Sequence, residues 1–264
     1  MKDIWKNRKL IWTLAKNDFK ERYAGSYLGA VWAMVQPVIT VAMYYVVFDL
    51  IMGAGLQSGP RATTMPYVLF LTAGLVPWFF FSEALTHGTS SLIRYTYLVK
   101  KVVFNVSILP VIKVVAALFI HVFFMAVLMV MACVYHYYPS FYWLQLFYYS
   151  FCTFVLVLGI SYITSAVMVF FRDLAQIIAI ILQLGMWATP ILWNIDSIGP
   201  TARLIVSINP LVYVVTGYRN AVCSSGVFWE DVAGTAYFWA ISLLILFVGK
   251  RIFEKLKPHF ADVL

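Results

Sequence analysis

Glu83 and His87 stand four residues apart in an otherwise apolar stretch, so on a helix they share one face. A carboxylate and an imidazole so placed have the groups for a proton relay or for part of a metal site. A zinc site needs three or four ligands, and no further His, Cys, Asp or Glu clusters beside this pair, so no metal is expected. A charge at the centre of a bilayer costs about 2.5–3.5 kcal/mol on insertion scales. Glu83 is therefore expected to face protein, a cavity or the interface. Asp49 falls near the end of another apolar stretch, where it can reach the headgroups. The three cysteines, Cys133, Cys152 and Cys223, form no CxxC pair and read as small buried hydrophobes. GxSxG and HExxH are missing, so no catalytic residue is assigned. GxxxxGK[ST] is missing too, so the chain is not expected to bind ATP in the P-loop manner.

The elements that must position these residues follow from composition. Of 264 residues, 63% are hydrophobic and 11% charged, with mean hydropathy +0.86; soluble domains run near 45–50% apolar and about 25% charged. So short a chain cannot hide that much apolar surface in water, and lipid is the solvent that fits. The expected fold is an all-α integral membrane protein, one domain over 1–264, with six transmembrane helices at 29–53, 66–93, 108–135, 143–171, 174–193 and 232–253. Pro37 should kink the first, and Gly74 and Pro77 make the second irregular. Residues 56–64 read as a polar loop. Residues 1–25 read as an amphipathic helix lying in the interface, too charged for a cleavable signal peptide, and 254–264 as a cytoplasmic tail.

Charge sets the orientation. With both termini in the cytoplasm, Arg61, Arg203 and Arg219 alone of the 19 basic residues fall outside, in line with the positive-inside rule. A seventh span at 204–222 would put the basic tail outside, and Asn209-Pro210 interrupts that stretch. It is read as a re-entrant helical hairpin entering from the outer face, which survives at membrane depth only when shielded by protein. The formal charge of +8 is spread as clusters between apolar segments, with no polar domain to carry a basic face, so nucleic-acid binding is excluded. Aromatic residues make up 18% of the chain. Much of this is interfacial belt, but deeper clusters such as Trp78-Phe79-Phe80-Phe81 and Tyr44-Tyr45 also suit a path for a glycolipid.

Three stretches together carry a resemblance: RYAGSYLGAVWAMVQP at 22–37, PYVLFLTAGLVPWFFFSEALTHGTSSLIRYTYLVKKVVFN at 66–105, and FRDLAQIIAIILQLGMWATPILWN at 171–194 followed by INPLVYVVTGYRNAV at 208–222. They resemble the permease subunits of type-2 ABC exporters that move lipid-linked polysaccharides, a group including teichoic-acid, O-antigen and capsule exporters. The ending HFADVL leans toward the teichoic-acid branch. The resemblance implies a permease homodimer in the bacterial cytoplasmic membrane with two separate P-loop ATPase subunits. ATP and magnesium would be bound by those subunits, with no cofactor in this chain. It implies a cytoplasmic coupling helix at 94–105, with Arg94, Lys100 and Lys101 toward the ATPase and Glu21 and Arg22 beside it. It also implies an outer gate hairpin carrying Asn209, Pro210, Tyr213, Tyr218 and Arg219. The channel would run between the first and fifth spans of two copies, with Tyr44, Trp78, Phe79, Phe80, Trp187 and Trp193 as candidate lining. Two rivals are a proton-coupled secondary transporter using Glu83 and Asp49, and a membrane enzyme acting on a lipid-phosphate. The first lacks the internal repeat common in such folds; the second lacks clustered acid, base and metal groups.

Overall fold

A computed structural model describes residues 7–22, 27, 29–53, 56–58, 64–100 and 105–264. Helices dominate, as hydrocarbon demands of a backbone that must satisfy its own hydrogen bonds. In chain order they are α1 (Arg8–Arg22), α2 (Trp32–Tyr44), α3 (Tyr67–Thr89), the short α4 (Ser91–Arg94) and α5 (Thr96–Val99), α6 (Leu109–Val134), α7 (Leu144–Met168), α8 (Leu174–Ala188), α9 (Pro200–Ser207), α10 (Pro210–Cys223), α11 (Val232–Leu256) and α12 (Phe260–Val263). Five helical runs are long and apolar enough to cross a membrane: Trp32–Ile51, Tyr67–Thr89, Val106–Val134, Phe141–Met168 and Val232–Val263. The chain is thus a multi-pass membrane protein.

The fifth expected span, 174–193, is shorter as a helix than its sequence suggested. α8 holds 15 residues, about 22 Å of rise against a core near 30 Å thick. It stops because Thr189 precedes Pro190, whose ring drives the residue before it out of helical geometry; Thr189 is extended at φ −87°, ψ 138°.

Three helices form the centre. α3 is buried along most of its length and packs against α6 and α7, while α11 packs along α7. The α7–α11 crossing is a glycine contact. A Cβ on Gly159 would lie 2.8 Å from the backbone nitrogen of Leu246, and one on Gly249 would lie 2.5 Å from the Gly159 carbonyl oxygen. Small residues let two backbones approach in lipid, where dispersion rather than water exclusion joins helices. α2 and α8 are different: Ala33 in α2 and Ile178 in α8 are their only buried side chains among the described residues.

Several expectations need correction. The departure from α geometry in the first span falls at Tyr45–Ile51, a π-helical turn, while Pro37 sits inside regular helix. α3 runs unbroken through Gly74 and Pro77 but ends at Thr89, and the chain re-forms as two short helices. The polar loop contains a small antiparallel ribbon, β1 (Leu56–Ser58) against β2 (Thr64–Pro66), paired Gln57 to Met65. α1 does not simply rest on lipid: Ile11, Ala15 and Asp18 are buried against the bundle, and the Trp12 ring meets Phe119 of α6 edge-on at 5.1 Å. The break at 208–209 is as expected, with the Asn209 side chain accepting from the Leu211 N–H at 3.0 Å. Pro210 at the first turn of α10 costs no helical hydrogen bond.

Gly159→Val should abolish most folded, monodisperse protein, because backbone atoms cannot yield to the new methyls. Gly199→Ala, with nothing within 4 Å of its Cβ, should leave yield and thermal midpoint unchanged in size-exclusion and melting assays.

Candidate functional site: a buried charge cluster and a braced helical break

At the basic end of the bundle, four charged side chains and a phenol meet under α1. Asp18 accepts from Arg22 Nη2 at 2.9 Å and Nε at 3.1 Å, from the Tyr95 hydroxyl at 2.9 Å, and from the Lys113 ammonium. Arg22 also donates through Nη1 to Glu83 Oε1 at 2.8 Å. Two acids and two bases leave the cluster formally neutral, as burial requires. Burial alone would raise the Asp18 carboxyl, but Lys113 and Arg22 outweigh it and hold it below its ordinary range. Burial, with Asp18 beside it, pushes the Tyr95 phenol above its usual range. The result joins four elements: α1 through Asp18 and Arg22, α3 through Glu83, the 91–99 segment through Tyr95, and α6 through Lys113.

Sequence reasoning singled out Glu83 and Arg22 but not Asp18, Tyr95 or Lys113, and not the cluster. Glu83 faces protein, as its insertion cost predicted, and its partner is Arg22. Arg22 was expected at the ATPase surface; its side chain is only 8% exposed and turned inward. Glu21 is exposed. In the segment from 91 to 100, Leu92, Tyr95 and Val99 are buried while Arg94, Tyr97 and Lys100 are exposed. This two-sided pattern adds Tyr97 to the outward face; its spacing of three from both basic residues was the signal available in the sequence. Lys101 lies outside the described residues.

At the other end, the chain from Thr189 to Asn194 breaks helix and is braced from several sides. Arg219 of α10 is buried and pairs with no carboxylate among the described residues. It donates to three carbonyls, Pro190 at 2.7 Å, Ile191 at 2.8 Å and Phe70 at 3.3 Å, and its guanidinium lies 3.4 Å over the Phe70 ring. Tyr67 donates to the Leu192 carbonyl at 3.0 Å, Asn209 to the Thr189 hydroxyl at 2.9 Å, and Trp193 to the Trp187 carbonyl at 2.9 Å. Tyr218 shares a buried polar contact with Ser150 at 2.7 Å and His121 at 3.0 Å. Tyr213 bonds Thr235 of α11 at 2.8 Å and Tyr148 of α7 at 3.1 Å. The hairpin is thereby tied to α3, α6, α7 and α11.

The aromatic candidates do not gather on one surface. Phe80 is buried and stacked on His121 at 4.6 Å between ring centres. Trp78 is buried beneath α8, where a Cβ on Gly185 would lie 3.0 Å from its ring. Both pack within the chain because their face of α3 is the bundle centre. Tyr44, Phe79 and Trp193 are half-buried and Trp187 is exposed.

Two measurements test these arrangements. Removing one partner of a buried pair costs about 3–5 kcal/mol, so Asp18→Ala should release α1, read as faster hydrogen exchange over residues 8–22. Acid should do the same to the unaltered chain. A carboxyl lowered on folding stabilises fully above its unfolded value near ~3.9, and that stabilisation is lost as pH falls through the still lower folded value. Arg219→Lys should lower the thermal midpoint nearly as far as Arg219→Met, because a single ammonium cannot span three carbonyls as the planar fork does; full retention by lysine would refute that role.

The family model for the ABC-2 type transporter matches residues 9–223. The chain is 30% identical over 256 residues to the O-antigen export system permease protein RfbA of Klebsiella pneumoniae, covering 97% of this chain and 95% of that one. It is 28% identical over 268 residues to the protein of the same name from Myxococcus xanthus, covering 99% and 98%. With a membrane bundle in hand and the match spanning both the charge cluster and the braced break, the chain belongs to the ABC-2 type transporter family.

Proposed function

We propose that this chain is the permease subunit of an ATP-driven exporter that carries a lipid-linked polysaccharide of O-antigen type across the bacterial cytoplasmic membrane. The polymer is carried on undecaprenyl diphosphate. Two copies form the passage, and two separate P-loop subunits bind ATP and magnesium and drive it. The chain itself performs no chemistry. The teichoic-acid alternative loses ground because the relatives named above are O-antigen permeases.

The observation that carries this reading is the contrast between the centre of the bundle and its two loose helices. Apart from Ala33 and Ile178, the described apolar side chains of α2 and α8 are at least partly exposed, with Val38, Ile39, Met43, Ile180, Leu184 and Trp187 among the most open. α8, too short to cross alone, continues into the braced 189–194 turn and the hairpin to complete the fifth crossing. A second copy would meet these helices, and the passage would run between the α2 and α8 pairs. Trp187 is then the aromatic best placed to touch polymer, and Trp78 and Phe80 support the wall from behind.

Force enters at the other end. Arg94, Tyr97 and Lys100 face outward for the ATPase, and Tyr95 on the opposite side of the same segment holds Asp18. Movement of the segment is passed through Asp18 to α1, Lys113 and, by way of Arg22, Glu83, so these elements shift as one rigid body, a recognised switching mode. Glu83 serves here as an ion-pair partner. That use counts against the proton-coupled reading, in which it would have to release its proton alternately to each side.

Arg94→Glu combined with Lys100→Glu should leave the protein folded but reduce ATPase association and export together, measured by co-purification and by transport into vesicles with the partner ATPase. Normal export by this variant would remove the docking assignment. Export that persists without ATP and collapses with the proton gradient would overturn the ATP-driven reading itself.

A further inference from the structure

α2 stands off from α3 and α6 along most of its length, leaving a seam that opens toward the lipid. Its basic end is a cavity of about 810 Å³ reached by Trp32, Pro37, Ser82, Glu83, Thr86 and His87. Its far end is a cavity of about 330 Å³ walled by Val38, Val41, Val76, Phe124, Val127 and Met131. Phe79 lines both, so the two are successive parts of one groove. On α3 the groove follows Val68, Thr72, Val76, Phe79, Ser82 or Glu83, and Thr86, the three-to-four spacing of one helix face. Eighteen residues at 1.5 Å give it a length near ~27 Å, close to the thickness of the hydrocarbon core.

The two ends differ in chemistry. The far end is apolar. The basic end presents acceptors. Ser82 spends its hydroxyl proton on the Phe79 carbonyl at 3.2 Å, and Thr86 spends its proton on the Ser82 carbonyl at 2.8 Å. Each hydroxyl oxygen keeps lone pairs toward the cavity. Glu83 gives Oε1 to Arg22, which leaves its second oxygen to the groove. His87 Nδ1 is buried with no hydrogen-bond partner. A buried polar atom without a partner costs free energy, and water alone would not fill the apolar half.

We infer that this groove is a binding site for one membrane lipid with a primary-ammonium headgroup, drawn from the leaflet at the basic end. Its three N–H donors meet Glu83, Ser82 and Thr86. Its phosphate lies near Trp32 at the rim, and one acyl chain runs past Phe79 between Val38 and Val76. A quaternary ammonium carries no N–H to give these acceptors, and a headgroup with net negative charge would face the Glu83 carboxylate. Such a lipid would act as a wedge that sets the spacing of α2 from the bundle. The site does not depend on which polymer is exported.

The test is competition for retention. Full-length protein is equilibrated in nanodiscs holding equal amounts of phosphatidylethanolamine, phosphatidylcholine and phosphatidylglycerol with matched chains, then extracted and weighed with its bound lipid by native mass spectrometry. Phosphatidylethanolamine should be enriched about fivefold or more over each of the others, and stepwise N-methylation of its headgroup should remove the enrichment in stages on the unaltered protein. Ser82→Ala with Thr86→Val should bring the enrichment down toward parity. Val38→Trp, at an exposed position, should reduce total retained lipid without changing headgroup preference. Equal retention of the three headgroups, a preference for phosphatidylglycerol, or indifference to N-methylation would overturn the proposal. The N-methylation series decides the matter even if the double variant fails to fold.

Discussion

A backbone inside hydrocarbon has no water to satisfy it, and every break in a helix there must be answered by protein. The end of α8 is such a break. Thr189 and Pro190 end the helix and leave the carbonyls of Pro190, Ile191 and Leu192 without helical partners. Arg219 takes two of them and Tyr67 the third. A guanidinium suits this task because it presents several donors in a plane and is more weakly hydrated than an ammonium. Phe70 lends its ring face and a carbonyl to the same cation. The arrangement lets a 15-residue helix, a turn and a two-part hairpin occupy one corner of the bundle with the carbonyls of Pro190, Ile191 and Leu192 answered.

The opposite end solves a related problem with charge. Asp18 and Lys113 are almost completely enclosed, and neither would be tolerated there alone. Together with Arg22, Glu83 and Tyr95 they form a closed set in which each charge is answered. Such a set contributes little net stability relative to an apolar core of the same shape, but losing one member is costly. Its value lies in geometry: it fixes α1 and the 91–99 segment against α3 and α6, and no apolar contact would specify that register as sharply.

Between these ends the bundle is divided. α3, α6, α7 and α11 pack closely, down to the glycine contact of Gly159 with the Gly249 turn. α2 and α8 keep their apolar sides outward, and α2 leaves a groove behind it.

The sequence by itself determined the class of solvent, the approximate places of the five long apolar helices, the charge bias and the family, because these depend on composition, on local periodicity and on ordered motifs. It also placed the break at Asn209-Pro210, since proline acts through its own ring and its immediate neighbour. What only the tertiary structure decided is which side chains meet. Asp18 and Lys113 are 95 residues apart and Arg219 and Phe70 are 149 apart, and no local pattern records such distances. Trp78 and Phe80 looked like Phe79 on paper, yet they turn into the bundle because neighbouring positions on a helix point about 100° apart and only packing settles which face is inside. The π-helical turn at Tyr45–Ile51 and the acceptor-lined groove behind α2 have the same origin, the fit of one helix against others far away in the chain.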